Sequence, residues 1–156
     1  AEQIRYFDAD NVPVGAGPLP PKTGQKTTLK VYWNLSNELH ELSDGRVEFV
    51  LPESVAYENS ARTSVGSLDY DFNSRKVIWT INRLPASVGE ATADFSISIT
   101  PTESDADKIM VLSAGSQIQI MDAETKALIT RQVKAQTTKL DDDDIAALTN
   151  DGRVQE

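Results

Sequence analysis

The chain has 156 residues, a length that suits one domain able to bury roughly two-thirds of its unfolded surface. Its charge balance, 24 acidic against 15 basic residues for a net −9, repels phosphate backbones and anionic lipid, so nucleic acid and membrane surfaces are not expected partners. The absence of cysteine excludes disulfides, thiolate metal sites and cysteine nucleophiles together.

The first apolar stretch, Ile4–Phe7 within Glu2–Phe7, reads as an edge strand. Pro13–Pro21 follows it, too rich in proline and glycine to be a central strand and expected to run extended. In Thr28–Leu35, Leu29, Val31, Trp33 and Leu35 share one face while Lys30, Tyr32 and Asn34 occupy the other. A polar loop, Asn37–Gly45, holds the only histidine, His40, expected to be solvated, and ends in the turn residues Ser43-Asp44-Gly45. Alternation resumes at Val47, Phe49 and Leu51, then at Leu68, Tyr70 and Phe72, and after the hairpin signal Asn73-Ser74 at Val77, Trp79 and Ile81. The longest run sets Ala91, Ala93, Phe95, Ile97 and Ile99 against Asp94, Ser96, Ser98 and Thr100. Gln117–Met121 and Ala127–Val133 are the last strand candidates, with Lys134 taken as an extension of the second. Acidic residues favour a helix N-terminus, so Leu140–Leu148, with Asp141–Asp144 ahead of Ile145-Ala146-Ala147-Leu148, reads as a short C-terminal helix.

The sum is an all-β chain, an antiparallel β-sandwich of about eight strands. One sheet alone would leave Trp33, Trp79 and Phe95 wet, so a second must cover them. The organisation expected is an N-terminal edge strand and linker over residues 1–18 and the sandwich over 19–156. No apolar run reaches the ~20 residues a membrane helix needs. A start at Ala1 rather than methionine suggests a processed or excised chain.

Chemistry is sparse. One histidine supports neither a multi-histidine zinc site nor, in its polar loop, a nucleophilic triad. The glycines do not form a phosphate cradle, and nothing selects a carboxylate pair among the 24 acids, so no catalytic residue is assigned. Calcium is the one cofactor the sequence raises, because it needs six to eight hard oxygens and loops can supply them. The better clusters are Glu103, Asp105 and Asp107, and Asp141, Asp142, Asp143 and Asp144; the competing reading is solvated acidic turns. Asp69-x-Asp71-x-Asn73 opens like a calcium loop, but it lacks the following glycine and has Thr80 where a glutamate belongs. Asn34-Leu35-Ser36 has the form of a glycosylation sequon on the outward face. Trp33 and Trp79 belong to the core, which leaves Tyr32 and Tyr57 as the outward aromatics for any sugar platform.

Several stretches in order resemble one family: Leu19-Pro20-Pro21-Lys22-Thr23-Gly24-Gln25, Val31 to Asn37, Val47-Glu48-Phe49-Val50-Leu51-Pro52, Gly66-Ser67-Leu68, Val77-Ile78-Trp79-Thr80-Ile81, Phe95 to Pro101, and the hairpin from Asp122 to Thr130. Over Leu19–Val154 the chain resembles the bacterial cell-surface modules of the DUF11 type, which are immunoglobulin-like. The resemblance implies an extracellular, non-catalytic bead in a stalk, fibre or surface layer. Its partners would be neighbouring domains of a larger surface protein or copies of itself. The alternative is an adhesive module that recognises a protein or glycan through loops at one end. For assembly, Ile4, Tyr6 and Phe7 mark a strand that could pair in its own domain or be donated to a neighbour. Cross-linking of Lys30 or Lys134 to an asparagine, as occurs in some surface modules, is not expected, since Lys30 lies on the polar face.

Overall fold

The computed structural model describes residues 1–37 and 39–156; Glu38, in the polar loop, lies outside them. Eleven strands and one short helix are formed: β1 (Glu2–Arg5), β2 (Thr27–Ser36), β3 (Leu42–Val50), β4 (Val55–Thr63), β5 (Ser67–Asp71), β6 (Lys76–Leu84), β7 (Glu90–Ile99), β8 (Val111–Ser113), β9 (Gln117–Asp122), β10 (Leu128–Gln132), β11 (Gln136–Thr137) and α1 (Asp144–Thr149). A four-stranded sheet ordered β1-β2-β7-β4 faces a five-stranded sheet ordered β10-β9-β3-β6-β5, and β11-β8 form a small ribbon. Adjacent strands pair antiparallel throughout.

The alternation of β2 and β7 fixes their register, from Thr27↔Ile99 to Ser36↔Glu90. That register turns Leu29, Val31 and Trp33 inward beside Ile97, Phe95 and Ala93, all buried. From the other sheet Val47, Phe49, Val77, Trp79 and Ile81 meet them. Trp33 of β2 stacks on Trp79 of β6 across the layers, centroids 6.1 Å apart and planes 7° from parallel. Phe95 stands edge-on to Trp33 at 5.0 Å and to Phe49 at 5.4 Å, so one aromatic cluster couples both sheets at the spacing ring quadrupoles favour.

The structure corrects the sequence reading in five places. Ser43-Asp44-Gly45 is no turn before a strand; it lies within β3, where the β9 pairing shifts register between Ser43 and Arg46 and Asp44 takes a positive φ of 52°. Gly45 is needed there, because a Cβ would press on Ile120 and Ile81 at 2.9–3.3 Å. Strand β4 was not anticipated, and it brings Tyr57 inside: paired with Ile97, that ring stacks on Tyr70 at 4.6 Å instead of facing solvent. Phe72 is 80 % exposed although it continues the side of Leu68 and Tyr70, since β5 ends at Asp71 and the hairpin turn carries the ring beyond the cover of the facing sheet. Lys134 lies in the link after β10, its amine 3.6 Å from Asp142. His40 is clasped between two carboxylates rather than simply solvated, as described below.

The proline-rich segment runs along the edge of the sandwich, bridged as Phe7↔Pro13 and Ala16↔Thr28. The helix is present, and the run of four aspartates supplies its cap.

Candidate functional site

Five of the polar side chains that the fold buries, Glu2, Ser113, Ser116, Gln136 and Asp143, gather around the first strand. β1 pairs with β2 of its own sheet from Glu2↔Trp33 to Arg5↔Lys30, and Ile4 is fully buried. Its first carboxylate, Glu2, lies between the layers and accepts from Trp33 Nε1 at 3.0 Å, from Ser113 Oγ at 3.1 Å and from Ser116 Oγ. Beyond β1, the backbone N–H groups of Tyr6 and Phe7 both donate to Asp143 Oδ2 at 2.7 Å, while Asp143 Oδ1 takes the Ala146 N–H at 3.0 Å. One buried aspartate therefore caps α1 and pins the chain leaving β1. Arg5 extends the clasp, donating to the carbonyls of Phe7, Asp8 and Asp142. The three residues marked for strand donation, Ile4, Tyr6 and Phe7, are thus held within their own domain.

The four aspartates separate by environment. Asp143 is buried, Asp142 is half-buried and accepts from Gln136 Nε2 at 3.0 Å, and Asp141 and Asp144 face solvent. In the other cluster Asp105 turns back on Thr102, taking its N–H at 2.8 Å and its hydroxyl at 3.0 Å, in a 3-10 turn over Glu103–Asp105. Asp107 has a positive φ of 60°, and its carbonyl accepts from Arg153 at 2.9 Å. Among the described residues, no three carboxylate or imidazole side chains converge as metal ligands would.

His40 reaches the β9–β10 hairpin, with Nδ1 2.6 Å from Asp122 and Nε2 3.3 Å from Glu124. The hydrogen bond to Asp122 raises the imidazole pKa above its ordinary value and lowers that of the aspartate. Lys30 and Asp94 pair at 3.1 Å on the outer face of the four-stranded sheet, and Asn34 on that face donates its amide to Glu90.

The two edges of the five-stranded sheet differ in character. Asp122 N–H donates to the Ala127 carbonyl and Val133 N–H to the Ser116 carbonyl. Bonded pairs alternate along an antiparallel ladder, so Ile129 and Arg131 bond β9 while Leu128, Thr130 and Gln132 turn their peptide groups to the open edge. Beneath β10, a groove of about 390 Å³ opens between the layers, lined by Trp33, Leu35, Ile118, Ile129 and Arg131 among others. The far edge, β5, carries Asp69 and Asp71 outward and ends beside the exposed Phe72. Sequence reasoning missed both edges as a pair, because strand order in a sheet is not written in local alternation.

Two facing antiparallel sheets with this core define the class as an immunoglobulin-like β-sandwich. No family model matches the chain and no curated protein matches it. Among solved structures it is similar to the major pilin subunit BcpA of Bacillus cereus, with a TM-score of 0.54 and 8 % identity over 88 % of this chain and 39 % of that one. It is similar also to the full-length major pilin SpaD of Corynebacterium diphtheriae, with a TM-score of 0.53 and 10 % identity over 88 % of this chain and 35 % of that one. A third likeness is to three N-terminal domains of the type V pili tip protein of Porphyromonas gingivalis, with a TM-score of 0.50 and 12 % identity over 61 % of this chain and 21 % of that one. This chain spans well under half the length of each of these, and at such identities the likeness is one of fold.

Proposed function

We propose that the chain is a non-catalytic structural module of a bacterial surface fibre, a mechanical bead, as the DUF11-type resemblance also implies. The fold likeness to pilins supports the class of protein. The observation that carries the reading is the placement of the chain ends. Ala1 pairs with Asn34 near the Ser36 end of β2. Gln155 bonds Pro21 and Thr23 beyond the Thr27 end, where Gly24 also meets Pro101. Seven residues of β2 between Thr27 and Asn34 span roughly 23 Å at ~3.3 Å per residue, so the ends sit at opposite poles. Tension between them runs along β1 and shears its ladder against β2, straining all its bonds together. The Glu2 and Asp143 clasps then resist at both ends of that strand.

Single-molecule pulling tests this. Force applied through residues 1 and 156 should unfold the chain at several times the force needed through residues 1 and 36, where β1 peels from β2 one bond at a time. Equal forces in the two geometries would remove the mechanical reading.

A second reading, an adhesive module, is favoured by one feature. The outer face of the four-stranded sheet holds a hollow of about 690 Å³ with Tyr32 in its floor, walled by Asp8 and Asp10 on one side and Arg62 on the other. Burial, then Asp94, raises the Tyr32 phenol pKa above its ordinary value. A glycan screen with wild type and Tyr32→Ala decides it: binding lost in the variant supports the hollow, and no binding by wild type ends this reading.

A further inference from the structure

The two sheets differ by one strand, and the difference falls at one edge. Tyr57 of β4 stacks on Tyr70 of β5 at 4.6 Å, so those two edges lie flush. The extra strand, about 4.8 Å of width, therefore overhangs at β10, and the apolar groove lies beneath the overhang. At the opposite edge of the same sheet, Phe72 projects into solvent on the side of the strand that Tyr70 occupies, its ring 6.3 Å from the Tyr70 ring and edge-on to it. A hole and an exposed aromatic knob stand at opposite edges of one sheet.

The charges are matched in the same way. Lys126, Arg131 and Lys134 flank or lie on β10, whereas Asp69 and Asp71 line β5. Joining two β10 edges would oppose arginine to arginine, and joining two β5 edges would oppose aspartates, so neither self-paired dimer is favoured. Joining β10 to β5 brings the lysines that flank β10 towards Asp69 and Asp71 while Arg131 stays on the groove face, offers the outward peptide groups of Leu128, Thr130 and Gln132 a ladder, and sets Phe72 at the groove. A phenylalanine ring buries about 150–250 Å² in such a site.

We infer that this chain associates with a second copy of itself, β10 and its groove receiving β5 and Phe72 of the neighbour. The contact is heterologous, so a pair still has one free β10 edge and one free β5 edge, on different copies, and association continues into a row. The inference rests on the fibre reading for its purpose and names the partner, while its geometry stands on the two edges. Pulling a single molecule is blind to association, so either idea can fail without the other.

Two variants test it by sedimentation across a dilution series. Thr130→Pro removes an outward N–H and no ladder bond, and Phe72→Asp changes a side chain already in water, so both should fold. Wild type should show concentration-dependent growth beyond a dimer, weakened by salt. Each variant alone should associate at least about tenfold more weakly. Mixed, they should form a dimer that stops growing, because Phe72→Asp retains a sound β10 and Thr130→Pro a sound β5. Wild type monomeric at millimolar concentration overturns the inference. So does Phe72→Asp dimerising as strongly as wild type, which would show β10 pairing with itself.

Discussion

The indole N–H of Trp33 donates to the carboxylate of Glu2 at 3.0 Å, tying the second residue of the chain into the centre of the sandwich. Ser113 and Ser116 donate to the same carboxylate, so three groups from separate segments depend on one acceptor that is 6 % exposed. Glu2→Ala should cost about 1–3 kcal/mol, the penalty for stranding buried donors, and Glu2→Gln less because one oxygen survives. Urea denaturation reads this directly. An unchanged midpoint for Glu2→Ala would mean the clasp contributes nothing to holding β1.

Asp143 makes a sharper case. Its two oxygens have separate duties, Oδ2 on the N–H groups of Tyr6 and Phe7 and Oδ1 on the N–H of Ala146. Asp143→Ala removes a cap and orphans two further donors, an expected loss of about 2–4 kcal/mol. Asp143→Asn can serve only one duty, since its amide nitrogen would face a donor on the other side. Hydrogen exchange should show the Tyr6 and Phe7 amides unprotected in the alanine variant. If they stay as slow as in wild type, the segment after β1 is held by something else.

The core and the surface aromatics should respond oppositely to truncation. Phe95 is fully buried against Trp33, Phe49 and Tyr57, so Phe95→Ala should cost about 3–5 kcal/mol. Phe72→Ala, at a side chain 80 % exposed, should move the stability of the monomer by no more than about 0.5 kcal/mol. A large effect at Phe72 in dilute solution would place that ring in the fold rather than at an interface.

These residues also show what was legible in the sequence. Trp33, Trp79 and Phe95 announced themselves, because strict alternation leaves an inward side chain no other face. Strand β4 did not, because only Val55 of its nine residues is fully buried and a bulge between Glu58 and Ala61 breaks its period. Asp143 was invisible among four identical neighbours: what singles it out is two backbone amides 136 and 137 residues away. In sequence the aspartate run reads as the start of a short helix or a solvated acidic turn, and the exposed Asp144 does open α1 while the exposed Asp141 lies in a turn. Only the meeting of chain ends in space buries the third of the four. His40 failed for the same reason, its partners being on a hairpin more than eighty residues on.

That histidine gives the chain a pH dependence whose sign can be worked out. The hydrogen bond with Asp122 raises the His40 pKa above 6.5, helped by the charges of Asp122 and Glu124 against some desolvation. The same bond, with the Thr125 and Glu124 backbone N–H groups, lowers the Asp122 pKa below 3.8. A base whose folded pKa is raised stabilises below its unfolded value and loses that stabilisation as pH climbs through the folded one; an acid whose folded pKa is lowered does the reverse. The pair therefore contributes in full between pH 3.8 and 6.5, weakens above as His40 deprotonates, and weakens below as Asp122 takes a proton. Glu41, beside His40 in sequence, is spent on Arg83 at 2.7 Å and keeps its own carboxyl pKa low by that contact. Proton NMR of the single imidazole should give a midpoint above 6.5, shifting down in Asp122→Asn and by less in Glu124→Gln. In stability measurements the gap between wild type and His40→Ala should narrow as pH rises from 6 to 9, in line with that midpoint. A midpoint at or below 6.5 would show that His40 leaves Asp122 in solution, and the gap would then be flat across the same range.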